Sequence, residues 1–339
     1  MCNDSTDDCI SVIGFHKGEL NMTKIAFIFP GQGSQQVGMG AELVTTNEKN
    51  KAFYNQADTT LGFPLSKLML EGPQEELTLT YNAQPALLTT GVMIANQLME
   101  AGIKPNYTAG HSLGEYSAFV VSNVLTFEDA VQVVHKRGLY MDEAVPAGEG
   151  AMAAILGMES ADLQQVCEDV SATGVVAQLA NLNCPGQIVI SGTKEGVEKA
   201  CTLAKERGAK RAIPLTVSGP FHSALMKPAA EKLATVIEEV ALKAPSIPVV
   251  SNVTSTLLED VRAIKQEMID QVSSPVQWEQ NVRTLMDLGV TVFIECGPGK
   301  VLSGLVKKID RQATVYCVYD EATIEQVVEA SKGWNAQWV

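Results

Sequence analysis

Apolar and polar positions along the chain fall into blocks that predict strands followed by helices. The run KIAFIFP at 24–30 is almost continuously apolar, which is typical of a buried strand. The stretch 85–102 repeats apolar residues three and four positions apart and stops at Gly102, so it predicts a helix. Thr126 caps another helical pattern, and VTVFIEC at 290–296 predicts a second buried strand. This alternation predicts an α/β fold with a mostly parallel sheet.

The middle of the chain has a different pattern. From Gly150 the order is strand, helix, strand, strand, helix and strand, which is the order of a ferredoxin-like unit. We therefore expect a large α/β catalytic domain with an α/β-hydrolase-like core, formed by residues 22–147 and 218–320. A small ferredoxin-like subdomain at 148–217 would be inserted into it, and 321–339 would form a C-terminal tail. Ligands commonly bind in the cleft between such domains.

The N-terminal stretch 1–21 is acidic at first and has only a short apolar centre, so it does not fit a signal peptide. A second methionine, Met22, directly precedes the first predicted strand, and we expect 1–21 to be a disordered leader. No apolar run approaches the roughly 18 residues of a membrane span. We therefore expect no membrane association.

Charge and composition narrow the classes of function. The 339 residues are 46% hydrophobic and 19% charged, which indicates a globular protein with a sizeable core. A net charge of −14 without long basic runs argues against nucleic-acid binding. The one basic cluster, AKERGAKR, fits a solvated helix end better than a contact for an acidic partner. Its cations are Lys205, Arg207, Lys210 and Arg211.

The seven cysteines are scattered without the spacing of a zinc site. An odd, dispersed set of thiols is typical of a protein kept in the reducing cytoplasm. We therefore expect neither disulfides nor a metal.

A glycine-rich loop, GQGSQQVGMG, follows the first predicted strand. Its GxG is not completed to GxGxxG because Gln36 takes the third position, which disfavours a dinucleotide site. The spacing from Gly33 to Gly38 fits a phosphate-binding P-loop, but Met39 and Gly40 stand where Lys and Ser or Thr are required. Two interpretations remain: the loop holds itself together, or a backbone N–H beside Gln32 faces an oxyanion.

The motif GHSLG at 110–114 lies between a strand-like YTAG and a helix-like segment, which is the setting of a nucleophile elbow. Its glycines permit a tight turn that would expose the hydroxyl of Ser112. The backbone N–H of Leu113 would then face an oxyanion at the N-terminus of the helix.

Serine needs a base to act as a nucleophile, and the chain has four histidines. His16 lies in the expected leader, His111 adjoins Ser112 and should point away from it, and His135 lies inside a helical pattern. His222 follows a glycine–proline turn before a helix, so by elimination we expect it to be the base. No acid is clearly marked as a third member.

Arg137 lies on a helix that is apolar on several sides. Such an arginine is usually paired or extends its charged end to solvent. The functional alternative is a bidentate contact to a substrate carboxylate, which the planar guanidinium suits better than lysine does.

Together these segments resemble the malonyl-CoA:acyl carrier protein transacylase family of bacterial fatty-acid synthesis. The matching segments, from Lys24 to about Ile309, are FPGQGSQQVGMG, NAQPALL, AGHSLGEYSA, HKRG, NCPGQIVISG, SGPFHSALMKPA, SSPVQW and ECGPGKVLSGL. The resemblance implies a ping-pong reaction, in which malonyl-CoA acylates the serine and the phosphopantetheine thiol of acyl carrier protein then takes the malonyl group. It implies no cofactor, and we expect a cytoplasmic monomer.

The resemblance also implies a role for each site residue. Ser112 would be the nucleophile and His222 its base, the backbone N–H groups of Gln32 and Leu113 would form the oxyanion hole, and Arg137 would bind the malonyl carboxylate. In this family a backbone carbonyl orients the histidine. By spacing from the family's motif, that carbonyl belongs to Gln271.

Three other functions stay open on the sequence. A serine esterase or thioesterase shares the elbow and the serine–histidine pair. A trans-acting acyltransferase that serves a polyketide synthase shares the chemistry but uses another carrier protein. A binding module without activity would not need the intact set of Ser112, His222 and Arg137.

Overall fold

A computed structural model describes residues 23–334 of the chain. The predicted leader at 1–21, with His16, lies outside the described residues. None of the helices in the described part combines the length and the apolar character that a membrane crossing requires.

The described residues contain ten strands, fourteen α-helices and one short 3-10 helix (Ala224–Met226). The strands are β1 (Lys24–Phe29), β2 (Tyr107–Gly110), β3 (Gly150–Leu156), β4 (Ala177–Cys184), β5 (Gln187–Thr193), β6 (Arg211–Pro214), β7 (Val249–Val250), β8 (Leu257–Leu258), β9 (Val290–Cys296) and β10 (Thr314–Val318). The helices are α1 (Ala41–Thr46), α2 (Glu48–Leu61), α3 (Leu65–Glu71), α4 (Gln74–Thr78), α5 (Thr80–Glu100), α6 (Leu113–Val121), α7 (Phe127–Glu143), α8 (Ser160–Ser171), α9 (Lys194–Glu206), α10 (Lys227–Glu238), α11 (Val261–Asp270), α12 (Trp278–Asp287), α13 (Val301–Ile309) and α14 (Glu321–Ser331).

Six strands form a sheet in the order β10-β9-β1-β2-β7-β8, and all neighbours run parallel except β7 and β8. The apolar run of β1 reflects burial on both faces. Phe27 and Phe29 belong to one hydrophobic core, while Ala26 and Ile28 belong to the core on the other face. The prediction of an α/β fold with a mostly parallel sheet is confirmed.

The other four strands form a separate antiparallel sheet in the order β4-β5-β3-β6. Residues 150–214 supply it, in the predicted order of strand, helix, strand, strand, helix and strand. The segment around Val276 joins the two parts of the molecule, because its backbone bonds to Ala180 and Leu182 of β4. The domain limits at 147/148 and 217/218 stay a prediction.

Helix α5 begins at Thr80 and not at Pro85, where the apolar pattern placed its start. A proline inside a helix cannot donate to the carbonyl four residues earlier, which here belongs to Tyr81. His135 Nδ1 donates to that carbonyl instead, at 2.8 Å. The replacement bond lets the helix run through the proline, and it explains His135 as a structural residue. The Thr126 cap is confirmed, since its hydroxyl accepts from the Asp129 N–H.

The expectation of a C-terminal tail from residue 321 is wrong for its first part. Residues 321–331 form α14, where Asp320 and Thr323 make a capping box and Ile324 and Val327 are buried. An apolar side chain every third or fourth residue gives this helix a face that packs beside β10. Residues 335–339 lie outside the described residues.

Candidate active site

Ser112 occupies the turn between β2 and α6. Its backbone has φ 51°, a conformation that is costly for a residue with a side chain. The turn can form because Gly114 follows: a Cβ there would lie 2.0 Å from the carbonyl oxygen of Phe29 in β1. The predicted strand–turn–helix setting is therefore present, and it projects the serine at the carboxyl ends of the parallel strands.

His222 meets Ser112 across a gap of 110 positions in the sequence. Its Nε2 lies 2.7 Å from Ser112 Oγ, and its Nδ1 donates to the carbonyl of Gln271 at 2.9 Å and to that of Ser274 at 3.2 Å. The two carbonyls fix the tautomer, since a donating Nδ1–H leaves Nε2 free to accept the serine proton. The structure brings together the serine, the histidine and the backbone carbonyl that the sequence had singled out.

The environment of His222 keeps its imidazole neutral. Burial first and the nearby charge of Arg137 second, against the raising effect of the Gln271 carbonyl, together lower the pKa of His222 from 6.5 to about 3. The side chain is therefore a neutral acceptor at every pH in the physiological range.

Arg137, on α7, is 1% exposed and points at the serine. Its Nη2 lies 3.2 Å from Ser112 Oγ and donates to Gln271 Oε1 at 2.7 Å, and its Nη1 donates to Gln84 Oε1 at 2.7 Å. Both amide acceptors are neutral, and Arg137 belongs to none of the salt bridges within residues 23–334. A buried cation that is oriented but not neutralised by an adjacent carboxylate can attract an anionic ligand. The expectation that Arg137 is simply paired within the protein holds only in part, because its two hydrogen-bond partners, Gln84 and Gln271, carry no charge.

One cavity of about 130 Å³ joins these groups: Ser112, His222, Arg137, Gln32 and Leu113 all line it. Residues from both parts of the molecule complete its wall, namely His111, Met141, Met152, Asn181, Leu215, Val217 and Phe221, of which Met152 and Asn181 belong to the antiparallel sheet. The cavity therefore lies at the junction of the two parts of the molecule, as the sequence predicted for a ligand site.

The glycine-rich loop reaches the elbow because Gly31 lets it approach closely. A Cβ at Gly31 would lie 2.5 Å from the carbonyl oxygen of His111. The next residue, Gln32, lines the cavity, and no hydrogen bond within the described residues engages its backbone N–H. Leu113 is the first residue of α6, so its N–H is one of the donors that a helix leaves unpaired at its start.

The two remaining groups that the sequence considered lie outside the reacting set. His111 Nε2 donates to Asn183 Oδ1 of β4 at 2.8 Å, so its ring faces the antiparallel sheet and not the serine. In the basic cluster, Arg207 pairs with Asp169 at 2.6 Å, while Lys210 and Arg211 are exposed. Within residues 23–334 no three His, Cys, Asp or Glu side chains converge to hold a metal ion.

The sequence reasoning missed three polar residues that support the site. Gln84 and Glu115 lie in NAQPALL and AGHSLGEYSA, two of the segments that carried the family resemblance, but no role was assigned to them. Asn252 follows the two-residue strand β7 and donates to the Gly110 carbonyl at 2.6 Å. No pattern in the sequence marks it, because it reaches the elbow only through the folding of a loop.

Comparison with known proteins agrees with this geometry. Residues 26–327 match the family model described as the acyl transferase domain. A curated protein of Bacillus subtilis named malonyl CoA-acyl carrier protein transacylase is 57% identical, over 93% of this chain and 99% of its own length.

Solved structures give the same result. The malonyl CoA-acyl carrier protein transacylase of Coxiella burnetii superposes with a TM-score of 0.89 at 43% identity, covering 91% of this chain and 98% of that one. A malonyl-transacylase solved in complex with a type II polyketide synthase acyl-carrier protein also gives 0.89 at 43% identity, covering 91% and 100%.

Proposed function

Because the chain belongs to the acyl transferase family, we propose that it transfers the malonyl group from malonyl-CoA to the phosphopantetheine thiol of acyl carrier protein. The observation that carries the proposal is the cavity in which a serine, its histidine base and an arginine without an adjacent carboxylate meet. The relatives of known structure and name supply the identity of donor and acceptor.

The first half-reaction acylates the enzyme. His222 Nε2 takes the proton from Ser112 Oγ, which attacks the thioester carbonyl of malonyl-CoA. The backbone N–H groups of Gln32 and Leu113 stabilise the oxyanion that forms. When the carbon–sulfur bond breaks, the CoA sulfur receives the proton from His222, and a malonyl-serine ester remains.

The second half-reaction runs the same steps towards the carrier. His222 accepts the proton of the phosphopantetheine thiol, and the sulfur attacks the ester carbonyl. The bond to Ser112 Oγ breaks and the serine recovers its proton. Gln271 orients the imidazole in both halves through its backbone carbonyl, which needs no carboxylate.

Arg137 selects the malonyl group. Its guanidinium binds the free carboxylate of the acyl chain, and a chain fixed at both ends presents one orientation to the incoming thiol. Phe221 and Met141 bound a cavity of about 130 Å³, which suits a short acyl chain. These residues favour malonyl transfer over general ester hydrolysis.

The proposal extends to finer points of architecture and location. The part built on the six-stranded sheet resembles an α/β-hydrolase in that a strand, a tight turn and a helix present the serine. The part built on the four-stranded antiparallel sheet has the strand order of a ferredoxin-like unit. The five described cysteines are free thiols, which supports a cytoplasmic location. A monomeric state stays a prediction.

Intact-mass spectrometry tests the proposal directly. Incubation with malonyl-CoA should give a malonyl adduct that disappears on addition of holo acyl carrier protein, and Ser112→Ala should form none. Release of free malonate with no acylated carrier would show a hydrolase instead.

A second candidate partner is the acyl carrier protein of a type II polyketide synthase, because one solved relative is bound to such a carrier. Comparison of kcat/KM with carriers of both types distinguishes the two pathways.

A further inference from the structure

The strained serine turn is held at both of its peptide groups by side-chain amides. Asn252 Oδ1 accepts from the Ser112 N–H at 2.7 Å, and Gln271 Nε2 donates to the Ser112 carbonyl at 2.9 Å. A residue with φ 51° persists only where the surroundings determine its conformation, so these two contacts are candidates for what holds the nucleophile in place.

Asn252 and Gln271 both donate a hydrogen bond to one buried carboxyl group, that of Glu115. Its Oε2 accepts from Gln271 Nε2 at 2.7 Å, and its Oε1 accepts from the backbone N–H of Asn252 at 2.8 Å. Glu115 lies in the first turn of α6, three positions after Ser112, and is 0% exposed. Each of its two oxygens therefore secures one side of the turn.

The direction of the Gln271 amide depends on this carboxyl. A primary amide has one accepting and one donating end. The donating end faces Glu115 and the Ser112 carbonyl, which leaves the accepting end for Arg137 Nη2 at 2.7 Å. The acceptor at position 115, together with the Ser112 carbonyl, thus sets which way the amide points, and the amide in turn positions the guanidinium.

A second carboxyl, that of Glu267, supports the first. It accepts from Ser251 Oγ at 2.6 Å and from the backbone N–H of Val253 at 3.0 Å, the two neighbours of Asn252. Burial raises the pKa of Glu115, and the proximity of Glu267 raises it further, so a proton shared between the two carboxyls is favoured. The pair still presents acceptors to every donor that points at it.

We propose that Glu115 is a positioning residue that fixes the nucleophilic turn and the arginine together, through Asn252 on one side and Gln271 on the other. The inference rests on the proposed function, since it assigns the arginine to the malonyl carboxylate. It predicts that a change at position 115 alters the choice of acyl group as well as the rate.

Glu115→Gln is the sharpest test. A carboxamide offers one oxygen, which stays with the Asn252 N–H, and its NH2 group then opposes Gln271 Nε2. Rotation of the Gln271 amide relieves that clash but turns a donor towards Arg137. Because small misplacements at a reacting centre are costly, we expect kcat/KM for malonyl-CoA to fall on the order of a hundredfold. Acetyl-CoA does not use Arg137, so its kcat/KM should fall about tenfold less.

Glu295→Gln is the matched control. Glu295 is also 0% exposed and also accepts two N–H groups, those of Leu302 and Ser303 at 3.0 and 2.7 Å, but it holds α13 and not the serine turn. The Glu295→Gln variant should have lower thermal stability, but its preference for malonyl-CoA over acetyl-CoA should be unchanged. An unchanged preference in Glu115→Gln would overturn the inference and reduce Glu115 to a structural residue.

A second variant covers the case in which Glu115→Gln does not fold. Gln271→Leu removes the amide but keeps the backbone carbonyl that orients His222, and it should lower the same preference. No change of preference in a folded Gln271→Leu protein would also overturn the inference. If the wild type forms no malonyl adduct, the proposed function fails; if it does and the preference is insensitive, only the present inference fails.

Discussion

The depressed pKa of His222 predicts an unusual pH dependence. A fall from 6.5 to about 3 disfavours the imidazolium by about 5 kcal/mol, since each pKa unit is worth about 1.4 kcal/mol. The neutral imidazole is the active base, and it is lost only as the pH falls through the folded pKa. Because kcat/KM reports the free enzyme, we expect it to stay nearly constant from about pH 8 down to about pH 5.

Substrate should change this value, because a malonyl carboxylate on Arg137 offsets the charge that contributes to the low pKa. Arg137 Nη2 lies 3.2 Å, and His222 Nε2 2.7 Å, from the same serine oxygen, so the two nitrogens are no more than about 6 Å apart. At an effective dielectric constant of about 20, two unit charges at about 6 Å repel by about 3 kcal/mol, or roughly two pKa units. The acid limb of kcat should therefore lie up to about two pH units above that of kcat/KM.

Quenched-flow acylation with intact-mass detection measures both limbs without a pH-sensitive dye. With acetyl-CoA, which brings no carboxylate, the two limbs should coincide. In Arg137→Gln the acid limb of kcat/KM for acetyl-CoA should move to higher pH, because a positive charge beside the imidazole has been removed. A wild-type limb of kcat/KM near pH 6.5, or coincident limbs with malonyl-CoA, would refute the reasoning.

Four further variants test other parts of the structure. Arg137→Ala should lower kcat/KM for malonyl-CoA on the order of a hundredfold, because the substrate carboxylate loses its buried partner, while acetyl-CoA reacts almost as before in the acylation assay. Gly114→Ala should cost at least about 3 kcal/mol in urea unfolding, since its Cβ meets the Phe29 carbonyl at 2.0 Å. Gly304→Ala, whose Cβ meets nothing within 4 Å on α13, should instead stabilise by up to about 1 kcal/mol. Replacing the exposed Lys210 and Arg211 by Glu tests the second interpretation of the basic cluster: if it contacts an acidic carrier, transfer to the carrier should slow about tenfold at low salt while transfer to free pantetheine is spared.

The parts of the fold that could be predicted are those in which buried residues form a continuous or periodic apolar pattern in the sequence. Strand β9 occupies 290–296, as its apolar run predicted, and the alternation from Gly150 gave the order of the antiparallel sheet. The helices between 41 and 78 and the two-residue strands β7 and β8 were not predicted. Most of these elements are short, so they carry too few residues for a period to emerge and are stabilised by contacts with distant parts of the chain. Helix α2 has 14 residues, but only Asn50, Tyr54 and Ala57 of them are buried, so it shows no strong apolar period either.

The candidate site divides in the same way. Ser112 lies in a local motif, and His222 followed by elimination among four histidines. Gln84 and Asn252 were missed because an amide in a helix or loop gives no sign of the partner it meets 53 or 140 positions away. The start of α5 was misplaced because the group that satisfies the carbonyl opposite Pro85 lies on another helix.

The imidazole of His222 takes its orientation from main-chain oxygens, at 2.9 and 3.2 Å, and this shapes what mutagenesis can reveal. Replacing side chains one at a time cannot delete a carbonyl that every amino acid carries. An alanine scan of the chain would therefore identify a dyad and overlook its third participant. Backbone ester substitution leaves that oxygen in place but weakens it as an acceptor, so a semisynthetic protein with an ester after Gln271 would expose the contribution that genetics conceals.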